Sequence, residues 1–198
     1  MAGPRRAERR RSVTPDPGRL SPGRFWAYSV RVYADKAVAA ACVDLQDRYD
    51  LDVNLLLFAL FAASHGKALS RPAMAKLDAA VEAWRHNVVR PLRAVRRWLK
   101  AQSHAVDDEA AKLRSRVLER ELESEALQQS MMERCVPVDE GEASPQLAAD
   151  NLVRYVAFAG RGDDPEVLER VAALLAAACG LSACAATAAI SGSAARTD

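Results

Sequence analysis

Six cations recur along one stretch in the middle of this chain. Arg85, Arg90, Arg93, Arg96, Arg97 and Lys100 stand in RHNVVRPLRAVRRWLK. At helical steps they fall within an arc of roughly 140°. Like charges so close repel, so something anionic is expected beside them. Three partners fit that chemistry. The first is an acidic segment of the same chain, either residues 107–150 or Asp44 and Asp47. The second is an acidic protein. The third is a nucleic-acid backbone, whose binding would weaken with salt. The cationic face lacks interleaved aromatics on which bases stack. Trp84 and Trp98 fall on or beside the apolar side instead, which argues against nucleic acid.

The second constellation is acidic: Asp44, Asp47, Asp50, Asp52 and Asn54 at spacings of three, three, two and two. Asp44 and Asp47 lie about one helical turn apart and are placed to share a divalent cation. Aspartate-rich helices of that kind serve magnesium–diphosphate enzymes of all-α fold. No matching second motif follows, and a solvated face plus a helix cap accounts for the same residues. The pair is the weak metal candidate here, and the alternative reading it carries is a magnesium-dependent enzyme on a phosphorylated substrate.

The remaining reactive residues form no pattern. His65, His86 and His104 have no ligand spacing, and no Cys or Ser partner is arranged with them. Cys42, Cys135, Cys179 and Cys184 make no C-x-x-C and read as reduced thiols. No Gly-rich phosphate loop, P-loop or G-x-S-x-G is present. No cofactor is expected, and no catalytic residue is legible.

Helices must position these residues. Asp35 reads as the cap of a helix to about Tyr49, with Val38, Cys42, Leu45 and Tyr49 on one buried stripe. Asp52 caps a third helix, Val53 to His65, which is apolar nearly all round and so belongs at the centre of a bundle. Gly66 ends it. An earlier helix is expected from Ser21-Pro22 to Tyr33, with Phe25, Trp26, Val30 and Tyr33 facing the core. The basic face belongs to a long segment from Arg71 to about Ser103. Its apolar line is Leu77, Val81, Trp84, Val88, Leu92, Val95 and Leu99, kinked or divided at Pro91.

Asp107 and Asp108 open a mostly charged helix to about Arg134. Its narrow apolar line is Leu113, Val117, Leu118, Leu122, Leu127 and Met131, so it should lie outside the bundle or project from it. An acidic loop and helices near Pro145–Ala159 and Pro165–Cys179 follow. The expected fold class is therefore all-α: a compact bundle of about six to eight helices around a central apolar helix. Residues 1–20 read as a disordered basic tail, 21–179 as one domain and 180–198 as an Ala/Ser-rich tail.

The charge layout is uneven beneath a net charge of +2. Residues 71–100 carry eight basic and two acidic groups, and residues 101–150 carry five basic and twelve acidic. The longest apolar run, Leu55 to Ala63, has nine residues, well short of the roughly 18–20 that span a bilayer. No apolar h-region follows the first arginines, so no secretory signal and a cytoplasmic location are expected.

The segments FWAYSVRVYADKAVAAACVDLQDRYDLDVNLLLFALFAASHGKAL and WRHNVVRPLRAVRRWLK resemble an uncharacterised family of proteobacterial conserved hypothetical proteins, domain of unknown function 2390. LQDRYDLDVNLLLF and VVRPLR…RRWLK are the most specific pieces. The likeness covers residues 24–130 and, more weakly, Leu152–Tyr155. It implies a small helical cytoplasmic protein and transfers no catalytic residue. The reading that results is a non-enzymatic interaction or adaptor protein using the basic face.

Overall fold

The computed structural model describes residues 23–101 and 108–196. Ser21-Pro22, the basic tail, Ser103, His104 and Asp107 lie outside the described residues. The helices are α1 (Arg24–Tyr33), α2 (Lys36–Tyr49), α3 (Val53–Ala63), α4 (Arg71–Trp84), α5 (Arg90–Ala101), α6 (Asp108–Cys135), α7 (Pro145–Phe158), α8 (Pro165–Cys179) and α9 (Ala183–Ala194). A π-helical turn, Arg85–Val89, joins α4 to α5 without a break. No strand occurs among the described residues, and the fold is an all-α bundle. None of their helices is long and apolar enough to cross a membrane.

Local chemistry sets most helix starts. Side chains of Asp35, Asp52, Ser70, Ser144, Asp164 and Ser182 each accept a hydrogen bond from a backbone N–H of the helix they precede. Those N–H groups have no partner inside the helix. Pro72, Pro145 and Pro165 occupy first-turn positions, where a missing N–H is harmless. At the end of α2, Asp50 takes a left-handed conformation (φ 55°), which Asp tolerates better than most residues.

The centre is α3, buried from Asn54 to Ala63. It packs against α7, α1, α2 and α6. Its lack of a polar face dictates that position. Phe25 of α1 inserts between Phe58 and Phe61, with ring centroids at 5.0 and 5.2 Å. That insertion sets the rotation of α1: Phe25, Tyr28 and Ser29 are buried, Trp26 is half-buried, and Val30 and Tyr33 face outward. The expected core positions Val30 and Tyr33 are therefore corrected. One aromatic between two others fixed the helix phase, and an apolar count along α1 does not reveal which ring wins.

Asn151 of α7 ties the α3–α4 connection to the core. Its amide oxygen accepts from Leu69 N–H at 2.8 Å, and its nitrogen donates to the carbonyls of Ala59 and Lys67. On one flank α8 packs on α2 and on α9, with α9 also against α7; on the other α4 packs on α6. The stretch expected as an Ala/Ser tail from Gly180 instead holds α9, with Ala186, Ile190 and Ser193 buried. Alanine has the best intrinsic helix propensity, and Ser182 supplies the cap. Low sequence complexity hid a helix made almost wholly of small residues.

Candidate functional site

The basic helix stands on a bed of carboxylates. Three of its cations are largely enclosed. Arg85 bridges Asp52 at 3.0 Å and Asp78 at 2.8 Å. Arg93 reaches Glu125 at 2.6 Å, Glu121 at 3.3 Å and the Gln46 amide oxygen at 2.5 Å. Arg96 pairs with Glu121, whose side chain is 4% exposed. Three others are more open. Arg90 grips Asp50 at 2.9 Å and Arg97 pairs with Asp47, both arginines remaining nearly half exposed. Lys100 has no ion pair among the described residues.

Burial works against the charge of Arg85 and Arg93, but the surrounding carboxylates outweigh it and hold both above the ordinary arginine range. Arg96 is raised chiefly by its hydrogen bond to Glu121. Glu125 moves the other way for an acid. Burial pushes it up, Arg93 pulls it down without cancelling that, and Glu121 and Asp52 add repulsion.

Asp52 is the hinge of this arrangement. It caps α3 through Asn54 N–H at 2.7 Å and receives Arg85 and Gln128 on its other oxygen, each at 3.0 Å. Its own N–H donates to the Tyr155 hydroxyl at 2.8 Å. Between the end of α2, the start of α3, the π turn and α6 lies a cavity of about 30 Å³, lined by Asp50, Asp52, Arg85, Arg90, Arg93 and Gln128 among others. It has room for about one water-sized group.

The π turn decides which side of α5 meets these acids. Arg90 N–H donates to the Arg85 carbonyl, five residues back. The extra residue in that turn shifts the register that follows. Val89 is buried where Val88 was expected, and Val95, expected in the apolar line, is 48% exposed. Trp98 is 63% exposed rather than on the core side. No residue of α5 is buried.

The helix α6 departs further from its apolar line. Leu113, Leu118 and Leu122 are exposed, while Glu121, Ser124, Gln128, Gln129 and Met132 are buried. A polar stripe faces inward because it has polar partners there: Arg93 and Arg96, Asp52, Asn54 at 2.7 Å from Gln129, and Trp84, whose indole N–H donates to the Ser124 carbonyl. Buried polar groups are tolerated when bonded in this way.

The acidic pair of α2 is divided between arginines. Asp44 lies 3.0 Å from Arg170 and 3.8 Å from Arg48, and Asp47 faces Arg97. A cation shared by the two would have to displace those guanidiniums. Among the described residues no three His, Cys, Asp or Glu side chains converge as a metal site. The helix α3 ends at Ala63 rather than at His65, which follows in the turn with Nδ1 2.9 Å from the Phe61 carbonyl, and His86 is exposed on the π turn.

Two features escaped sequence reasoning. The Asp52–Arg85 bridge joins residues 33 apart in the chain and has no local signal, whereas its second carboxylate, Asp78, stands about two helical turns before Arg85. The exposure of Trp98 had one: a twelve-residue helix with five cations has little apolar surface to bury, so a large aromatic on it is left to solvent.

Against known proteins, the model of a family described as "Protein of unknown function (DUF2390)" matches residues 24–132, more than half of the 198-residue chain. No curated protein and no solved structure matches.

Proposed function

The chain belongs to the DUF2390 family of proteins of unknown function, and from that premise we propose that it is a non-enzymatic interaction protein whose docking surface is the outer face of α5. The observation that carries this is Trp98, a mostly exposed tryptophan on a cationic helix none of whose residues is buried. Around α5 the order is Arg97, Arg90, Ala101, Ala94, Trp98, Pro91, Val95, over roughly 160°. All seven are exposed. One edge of that arc is cationic and the other apolar, with small alanines between.

Such a face fits an amphipathic acidic helix. Its carboxylates would meet Arg90, Arg97 and Lys100, while its apolar side covers Trp98 and Val95. Tryptophan and arginine are the residues most often dominant at protein interfaces. The cations divide by role: Arg85, Arg93 and Arg96 hold the helix to the body, and Arg90, Arg97 and Lys100 steer the partner. Protein is favoured over nucleic acid because Arg90 and Arg97 already face Asp50 and Asp47, so charge alone is weak here, and the exposed Trp98 and Val95 beside them need an apolar partner surface that a phosphate backbone does not offer.

The test is affinity capture from the native source with wild type, Trp98→Ala and Arg97→Glu baits, followed by cross-linking to map contacts. A protein retained by wild type, reduced about tenfold or more by either variant, and cross-linked through an acidic segment to α5 is expected. Equal retention by all three baits, cross-links elsewhere, or nuclease-sensitive retention alone would overturn the reading.

A further inference from the structure

On another part of the molecule, the start of α4, the middle of α7 and the end of α9 enclose an open cavity of about 310 Å³. Its lining is Arg71, Asp150, Arg154, Ser193 and Arg196. That volume suits a small molecule. Among the described residues the charges do not balance: three guanidiniums face one carboxylate. Asp150 accepts from Ser193 at 2.6 Å, Arg196 at 2.7 Å and Gln146 at 3.1 Å. Burial raises its pKa, but these three hydrogen bonds prevail and hold it below the ordinary carboxylate range. Asp150 is thus a fixed anion that positions Arg196.

Arg71 and Arg154 have no carboxylate partner among the described residues. This contrasts with the arginines of the π turn and α5, where every guanidinium has one. Arg154 is only partly exposed, so its charge is held near the protein surface without compensation. Arg71 is the first residue of α4, where the positive end of the helix dipole adds to the same field. The excess over Asp150 is two positive charges.

We infer that this cavity binds a small dianion, a phosphate monoester or a dicarboxylate, gripped by Arg71 and Arg154 with Arg196 as the third wall. Guanidinium groups suit both ligands because their planar forks match two oxygens at once. Arg71 lies within the segment matched by the family model, and Asp150, Arg154, Ser193 and Arg196 lie beyond it. The site is independent of the α5 surface.

The test is thermal unfolding of the full chain titrated with inorganic phosphate and, separately, with succinate, at constant ionic strength set by chloride. A saturable rise in Tm with at least one probe is expected in wild type. Arg154→Gln and Arg71→Gln should each weaken the apparent affinity about tenfold, while Trp98→Ala leaves it unchanged. Which probe saturates identifies the anion class. Arg71 is exposed at a helix end, so its variant keeps the test valid even if Arg154→Gln folds poorly. No saturable response to either probe, or the same response in the Arg71 variant as in wild type, would overturn the inference.

Discussion

Glu121 is the most enclosed carboxylate beneath α5, and two arginines converge on it. Removing one partner of a buried pair leaves an uncompensated charge. Glu121→Ala would leave Arg96 without a carboxylate and Arg93 with Glu125 alone. The expected loss is about 3 kcal/mol in urea denaturation; a loss under about 0.5 kcal/mol, the range of ordinary surface substitutions, would show that the cluster does not hold α5. Cys42 gives a second prediction at this scale. Burial pushes its thiol from the ordinary value of 9 up to about 12. The folded state therefore keeps the proton more tightly than the unfolded chain does. Its contribution to stability is full below about pH 9 and is lost as pH rises toward 12, at up to about 1.4 kcal/mol per pH unit. Cys42→Ala should flatten the fall of stability between about pH 9 and 11, whatever it does to absolute stability. Identical slopes in the two proteins would contradict the assigned burial. The raised Tyr28 and Tyr155 hydroxyls add to the slope in both, so the difference between proteins isolates Cys42.

At the level of elements, the π turn is the device that aims α5. It inserts one residue between an anchored helix and a cationic one. Deleting Asn87, which is exposed and donates only to the Ala83 carbonyl, should convert the turn to ordinary helix. The π turn spreads five residues over about the rotation and rise that four take in an α-helix, so Arg93 and Arg96 should stay on Glu121 and the loss should be under about 1 kcal/mol in urea denaturation. Inserting one alanine after Asn87 instead, which the turn has no slack to absorb, should rotate α5 by roughly 100°, carry Arg93 and Arg96 off Glu121 and cost about 3 kcal/mol. Equal stabilities of the two variants would mean that α5 finds its acids in more than one register. The helix α6 obeys the same logic from the other side. Its inward stripe is polar because the facing helices present arginine, aspartate and asparagine, and its leucines are left outside.

At the scale of the molecule, the helical class, the central place of α3 and most helix boundaries were legible because their causes are local. A cap needs only a Ser or Asp before a periodic stretch, and α8 begins at Pro165 and ends at Cys179, as its sequence signals require. An all-apolar helix has only one stable place in a bundle. The basic arc was legible too, as an arrangement of cations on one face. What surrounds that arc was decided by tertiary structure alone. Asp52, Glu121 and Glu125 meet Arg85 and Arg93 across separations in sequence that no periodicity records. The rotation of α1, the inward polar face of α6 and the exposure of Trp98 share that cause: each depends on which partner a helix meets, and several faces of comparable composition competed for it. The cavity at Arg71 and Arg154 is the clearest case. Its walls come from the start of one helix and the interiors and ends of two others, so its excess charge exists only once α4, α7 and α9 have been brought together.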